Sequence, residues 1–178
     1  FDALSKNEEE YKTAVKLIRD NTDSIIQAIS NLVDDSCIQV YGLSYDKDGI
    51  EYGYDYDETY LNDFYLSGMR LHIIDDIDED IITASVWIYG NMDVDCYFKD
   101  FDNAPWDSEK KEYVFVDSRH MLEKHNIKFA CRIEINSKSE EIRILPFNII
   151  LGCDSRKEVL EIDEEQQDIA SDFEESDR

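Results

Sequence analysis

The stretch Ile82-Thr83-Ala84-Ser85-Val86-Trp87-Ile88-Tyr89-Gly90-Asn91-Met92-Asp93-Val94-Asp95-Cys96-Tyr97-Phe98 decides the fold. Its even-numbered positions are all apolar or glycine. The odd ones carry threonine, serine, tryptophan, tyrosine, asparagine, two aspartates and a final tyrosine. Period two makes this a β-strand with one buried face. At ~3.3 Å per residue it would extend roughly 56 Å, whereas an ordinary strand has about 5–6 residues. A bend or break is therefore expected, and Gly90 followed by Asn91 is the place for it. With one face buried and the other wet or covered by aromatics, the partner is an antiparallel sheet.

Outward from this ribbon, the N-terminal side reads as helical. Ser5 and Glu8 have capping-box spacing, and Tyr11, Ala14, Val15 and Ile18 recur at helical intervals, giving a first helix over 6–19. Asn21, Thr22 and Asp23 interrupt it. Ile25, Ile26, Ile29, Leu32 and Val33 then mark a second helix ending near Asp34. Segments 38–45 and 50–56 flank Asp46-Lys47-Asp48-Gly49 and read as a hairpin. A short helix is expected over 60–68, a strand at Met69, Leu71 and Ile73, and an acidic turn at 75–80.

Beyond Phe98, a polar connection over 99–111 leads to a short strand at 113–116 and a turn at 120–125. Ile127, Phe129, Cys131, Ile133 and Ile135 then alternate without a fault. Ile142 and Ile144 begin a last strand, in which Pro146 implies a bulge or an edge. Ser155 and Glu158 repeat the capping-box spacing ahead of Val159, Leu160 and Ile162, which predicts a C-terminal helix. Acids dominate after that, and 166–178 reads as a solvated tail.

Composition narrows the function classes. The chain has 178 residues, 43 acids against 18 bases, and a formal net charge of −25. Such a surface repels phosphates and anionic membranes, so no direct nucleic acid and no membrane are expected as partners; a protein with a basic surface is favoured. No signal peptide or transmembrane run is visible. Cys37, Cys96, Cys131 and Cys153 are widely spaced, which fits a reduced, cytoplasmic protein. The chain begins at Phe1 rather than methionine, so processing or a longer parent protein is expected.

Catalytic patterns are missing from the sequence. His72, His120 and His125 form no HExxH and the cysteines no CxxC; only six glycines occur, in no phosphate-loop spacing, and no GxSxG is present. Segment 44–49 imitates the start of a calcium loop, but Ser44 replaces the first acid and its flanks read as strands. Asp107-Ser108-Glu109-Lys110 imitates a nuclease element but sits in a polar loop. The acids at 75–80 and the pair Asp93 and Asp95 have the composition of a cation or paired-acid site, but the favoured reading is a solvated face. The expectation is no enzyme, no cofactor and no metal.

The order from Ile82 to Leu151 is a long alternating ribbon, a loop ending in Trp106-Asp107-Ser108-Glu109-Lys110-Lys111-Glu112-Tyr113-Val114, a faultless strand, a tight turn and a last strand. This order resembles the β-rich C-terminal region that follows the nuclease domain in some bacterial PIN-like proteins of defence and toxin systems. The resemblance implies an accessory domain with a regulatory or interactive role. No catalytic residue carries over, because the acids of that nuclease site belong to a separate domain.

The sequence thus predicts one α+β domain over 1–165: a twisted, mainly antiparallel sheet of about six or seven strands, with two N-terminal helices and a C-terminal helix. It predicts a non-catalytic interaction or regulatory domain of a bacterial defence system, and as the alternative a stand-alone acidic inhibitor that blocks a basic effector. The expected interaction surface is Tyr52, Tyr54, Trp87, Tyr89, Asp93 and Asp95.

Overall fold

The computed structural model describes residues 2–45, 51–54, 56–152 and 154–162, and the side chains of 7–41, 56–152 and 154–160. The acidic tail, the hairpin turn at 46–50, the Ser5 side chain and Cys153 lie outside the described residues. The protein is α+β. Helix α1 (Asp2–Asp20) and helix α2 (Thr22–Ser30) follow one another with a single break at Asn21. There the Asn21 amide accompanies its own backbone N–H to the Leu17 carbonyl, and the Thr22 hydroxyl donates to Arg19. Both helices form, each presenting an apolar stripe to the interior, but α1 begins ahead of Ser5, which therefore is not its cap, and α2 ends at Ser30 rather than near Asp34.

The strands are β1 (Ile38–Val40), β2 (Gly42–Tyr45), β3 (Glu51–Tyr54), β4 (Glu58–Asp78), β5 (Ile81–Lys99), β6 (Trp106–Asp107), β7 (Glu112–Tyr113), β8 (Ser118–Asn136), β9 (Ile142–Ile144), β10 (Ile149–Leu151) and β11 (Arg156–Ile162). A mostly antiparallel, five-stranded sheet has the order β11, β8, β5, β4, with β9 also on β8. β2 and β3 form the expected hairpin, and β1–β10 and β6–β7 are two further two-stranded pairs. Among the described residues the main sheet therefore has five strands, not six or seven.

The ribbon is β5, and it does not break. Ile82, Ala84, Val86, Ile88, Met92, Val94, Cys96 and Phe98 are all buried, while the odd positions other than exposed Asn91 are half-buried. Gly90 serves a close approach instead of a bend. A Cβ there would strike the carbonyl oxygen of Tyr65 and lie 3.0 Å from the Leu66 Cα on β4.

Three other expectations are corrected. The short helix over 60–68 is part of β4, because a 19-residue neighbour offers a ladder that a local helix would leave unpaired. The turn at 120–125 is the first half of β8. The C-terminal helix is β11, with Val159 opposite Glu123, Leu160 opposite Leu122 and Ile162 opposite His120. Ser155 caps no helix; its hydroxyl takes the Gly152 N–H and reaches the Gly152 carbonyl.

The chain forms two compact units, and the long strands contribute to both. Unit 1 comprises 1–39, 64–91 and 126–150. It buries Ala14, Ile18, Ile25 and Ile29 of the helices, together with the inward side chains of β5 and of β8 from Ile127 to Ile135. Phe129 stacks on Phe147 at 5.5 Å, and α2 packs on β9. Unit 2 comprises 40–63, 92–125 and 151–178 and buries Met92, Val94, Cys96, Phe98 and Leu151, but also His120, Glu123 and His125. No helix among the described residues is long and apolar enough to cross a membrane.

Candidate functional site

Trp87 and Tyr89 stand on the odd face of β5 in unit 1, as expected, but both rings are already engaged. The Lys128 amine lies 4.4 Å from the Trp87 ring centre and 5.8 Å from that of Tyr89. His72 of β4 meets Trp87 edge-on at 5.9 Å. A row of cation–π and edge contacts ties three strands across the open face, each worth about 0.5–1 kcal/mol at an exposed site. On the same face Asp75 accepts from Ser85 at 2.7 Å and approaches Arg132 at 3.7 Å, and Glu134 pairs with Arg143 at 3.4 Å.

Asp93 and Asp95 lie on the same strand but in unit 2. Asp95 is fixed by His120 Nε2 at 2.9 Å and by the Asn62 amide at 2.8 Å, and Tyr97 stacks on the His120 ring at 4.3 Å. The pair of aspartates therefore makes no open carboxylate site, since one of the two is held internally. The side chains of Tyr52 and Tyr54 lie outside the described residues. No group of metal-ligating side chains is found among the described residues.

Sequence reasoning missed a buried polar network in unit 2. Glu123 Oε1 accepts from the Tyr56 hydroxyl at 2.8 Å, and Oε2 faces His125 Nε2 at 3.0 Å. Arg156 lies 3.7 Å from Oε1, and His125 Nδ1 meets the Ser155 hydroxyl at 2.8 Å. Burial raises the Glu123 carboxyl, but the hydrogen bonds from His125 and Tyr56 and the charges of His125 and Arg156 outweigh it and hold the group below its ordinary range. Burial and then the Glu123 charge push the Tyr56 phenol well up. An ionised carboxylate only accepts, so the proton shared between Glu123 Oε2 and His125 Nε2 is carried on the imidazole nitrogen.

Serine, histidine and glutamate in series have the composition of a hydrolytic triad, and no sequence spacing revealed it. His125 is 1% exposed. The Ser155 oxygen is already bracketed by both backbone groups of Gly152. The network pins the start of β11 to β8 across the register Arg156–His125. Its available signal was parity: Glu123 and His125 continue backwards the odd-numbered series of Ile127 to Ile135.

The 99–111 connection also holds more than its polarity suggested. Trp106 pairs with Tyr113 across β6–β7, and their rings meet edge-on at 4.9 Å. Phe101 tilts against Tyr113 at 5.2 Å. Asp107, the first residue of the nuclease-like element, spends its carboxylate on the backbone N–H groups of Glu109 (2.9 Å) and Lys110 (3.1 Å), an Asx turn.

Charge is unevenly divided between the units. From the sequence, unit 2 has 27 acids against 9 bases, a net −18, and unit 1 has 16 against 9, a net −7. Among the described residues Glu123 is the one fully buried carboxylate, so the remaining described acids lie partly or wholly at the surface. Comparison with protein-family models, with curated proteins and with solved structures finds no match to this chain.

Proposed function

We propose that this chain is an interaction domain that captures a protein partner with a basic surface. One observation carries the reading: a −25 chain keeps all but one of its described carboxylates out of the core. Such a field draws a cationic partner in by long-range attraction and turns polyanions away. The resemblance of its 82–151 order to the β-rich region of PIN-like proteins supports a regulatory role beside a nuclease in a bacterial defence system. The alternative, a stand-alone acidic inhibitor of a basic effector, uses the same surface.

The test is association kinetics of the immobilised chain against a panel of basic and acidic proteins between low and high salt. Basic proteins alone should bind, with an on-rate that falls steeply as salt rises, since the Debye length shrinks from ~30 Å at 0.01 M to about 8 Å at 0.15 M. An on-rate indifferent to salt would overturn the proposal.

A further inference from the structure

The geometry points to the β6–β7 hairpin of unit 2 as the place where that partner docks, through an apolar pocket rimmed by lysine or arginine. The inference rests on the reading above and adds the surface and its chemistry. Phe101, Trp106, Tyr113, Val114 and Phe115 are 49, 54, 41, 63 and 57% exposed. Monomeric proteins rarely gather large apolar side chains in this way unless something covers them. Tryptophan and tyrosine are also the residues that carry most interface energy.

The patch is ordered before any partner arrives. The three rings pack on one another at 4.9 and 5.2 Å. The Val114 N–H bonds to the Pro105 carbonyl at 2.9 Å and Ala104 to Phe101 at 3.2 Å. Asp100 takes the Asn103 amide at 2.8 Å and the Arg119 guanidinium at 2.8 Å. Those contacts, Asn103 first, keep the Asp100 carboxyl below its ordinary range. Side chains fixed in advance lose little rotamer freedom on binding, so contact area converts to affinity efficiently.

Charge complementarity selects the occupant. Exposed Asp102, Glu109, Glu112 and Asp117 share the segment that carries the rings, and even with Lys99, Lys110 and Lys111 counted, residues 99–117 hold six acids to three bases. A nucleic acid or acidic peptide would meet like charge at this rim, whereas a basic protein meets opposite charge there and apolar contact at the centre.

The experiment uses the full chain carrying Trp87→Phe, which leaves Trp106 as the single tryptophan. The probe is a synthetic amphipathic helical peptide of leucine and lysine, with a serine–lysine and a leucine–glutamate version as comparisons. The leucine–lysine peptide should bind and shift Trp106 emission to the blue. Trp106→Ala, read by anisotropy of labelled peptide, should weaken binding by about tenfold or more through faster dissociation. Phe115→Ser repeats the test at an exposed site, so it holds if Trp106→Ala fails to fold by circular dichroism. Equal binding of the serine–lysine peptide, unchanged by either substitution, overturns the hairpin and leaves the acidic steering intact. Equal binding of the leucine–glutamate peptide overturns the basic rim. Absence of binding by both lysine peptides overturns the docking site and the reading beneath it.

Discussion

β8 carries two different interiors on one strand. In unit 1 its inward positions are Ile127, Phe129, Cys131, Ile133 and Ile135; in unit 2 the same parity brings Glu123 and His125 inside. Backbone geometry is common to both, so the difference lies in what each interior asks of its neighbours. An apolar side chain gains about 1.5–3 kcal/mol from burial against any apolar surface, with no requirement of direction. A buried carboxylate and imidazole roughly break even, and only while each donor and acceptor keeps its partner. The first interior tolerates variation in detail. The second is a linked set of hydrogen bonds among Tyr56, Glu123, His125 and Ser155, with an ion pair from Arg156 to Glu123.

The sharpest break of the contrast is Glu123→Ala, which strands His125 and Arg156 in the interior and should cost about 3–5 kcal/mol in urea unfolding. A loss near that of an exposed residue would mean that water already serves these groups. Ile133→Ala, at a fully buried position of the other interior, should cost about 3 kcal/mol as transfer and cavity terms add.

Acid separates the two interiors. The folded pKa of Glu123 is depressed, so its contribution is present above the unfolded value of about 4.3 and is lost as pH falls through the folded one. The stability gap between wild type and Glu123→Ala should therefore narrow below about pH 4, while the gap to Ile133→Ala should not. A Glu123→Ala gap that stays constant from pH 7 to pH 3 would count against an ionised carboxylate there. The smallest effect belongs to Ser155→Ala, which removes a hydroxyl from His125 and from the Gly152 N–H and should cost about 1 kcal/mol. Hydrogen exchange should place that loss at the β11–β8 pairing.

Where burial is apolar, the sequence was legible. The even positions from Ile82 to Phe98 apart from Gly90, the odd ones from Ile127 to Ile135, and Ala14, Ile18, Ile25, Ile29 and Val33 of the N-terminal stripes are buried as their spacing predicts, whereas Tyr11 and Leu32 of those stripes are exposed. Legibility failed where a side chain enters the core for its hydrogen bonds. Glu123 and His125 interrupt the hydrophobic signal without interrupting the strand, and so the first half of β8 read as a turn. Ser155 has the same residue type and spacing as a helix cap, but its partner is Gly152 behind it and not the chain ahead.

The candidate surface was legible only as a face. Trp87 and Tyr89 do point out of the core, but Lys128, distant in sequence, occupies their rings. Phe101 and Trp106 lie in a stretch whose charges and proline read as a polar connection, and Tyr113 begins the short strand expected after it. Their ring cluster arises from the β6–β7 pairing, which no period in the sequence encodes.

Gly90 bears on what this gene can become. Every single-base change of a glycine codon that alters the amino acid adds at least a Cβ, and at this position that atom meets the Tyr65 carbonyl. None of the one-step replacements available to codon 90 fits without moving β4. Lineages that keep β4 and β5 in this register therefore keep glycine here, and a relative carrying any other residue at this place has re-laid the edge of its sheet.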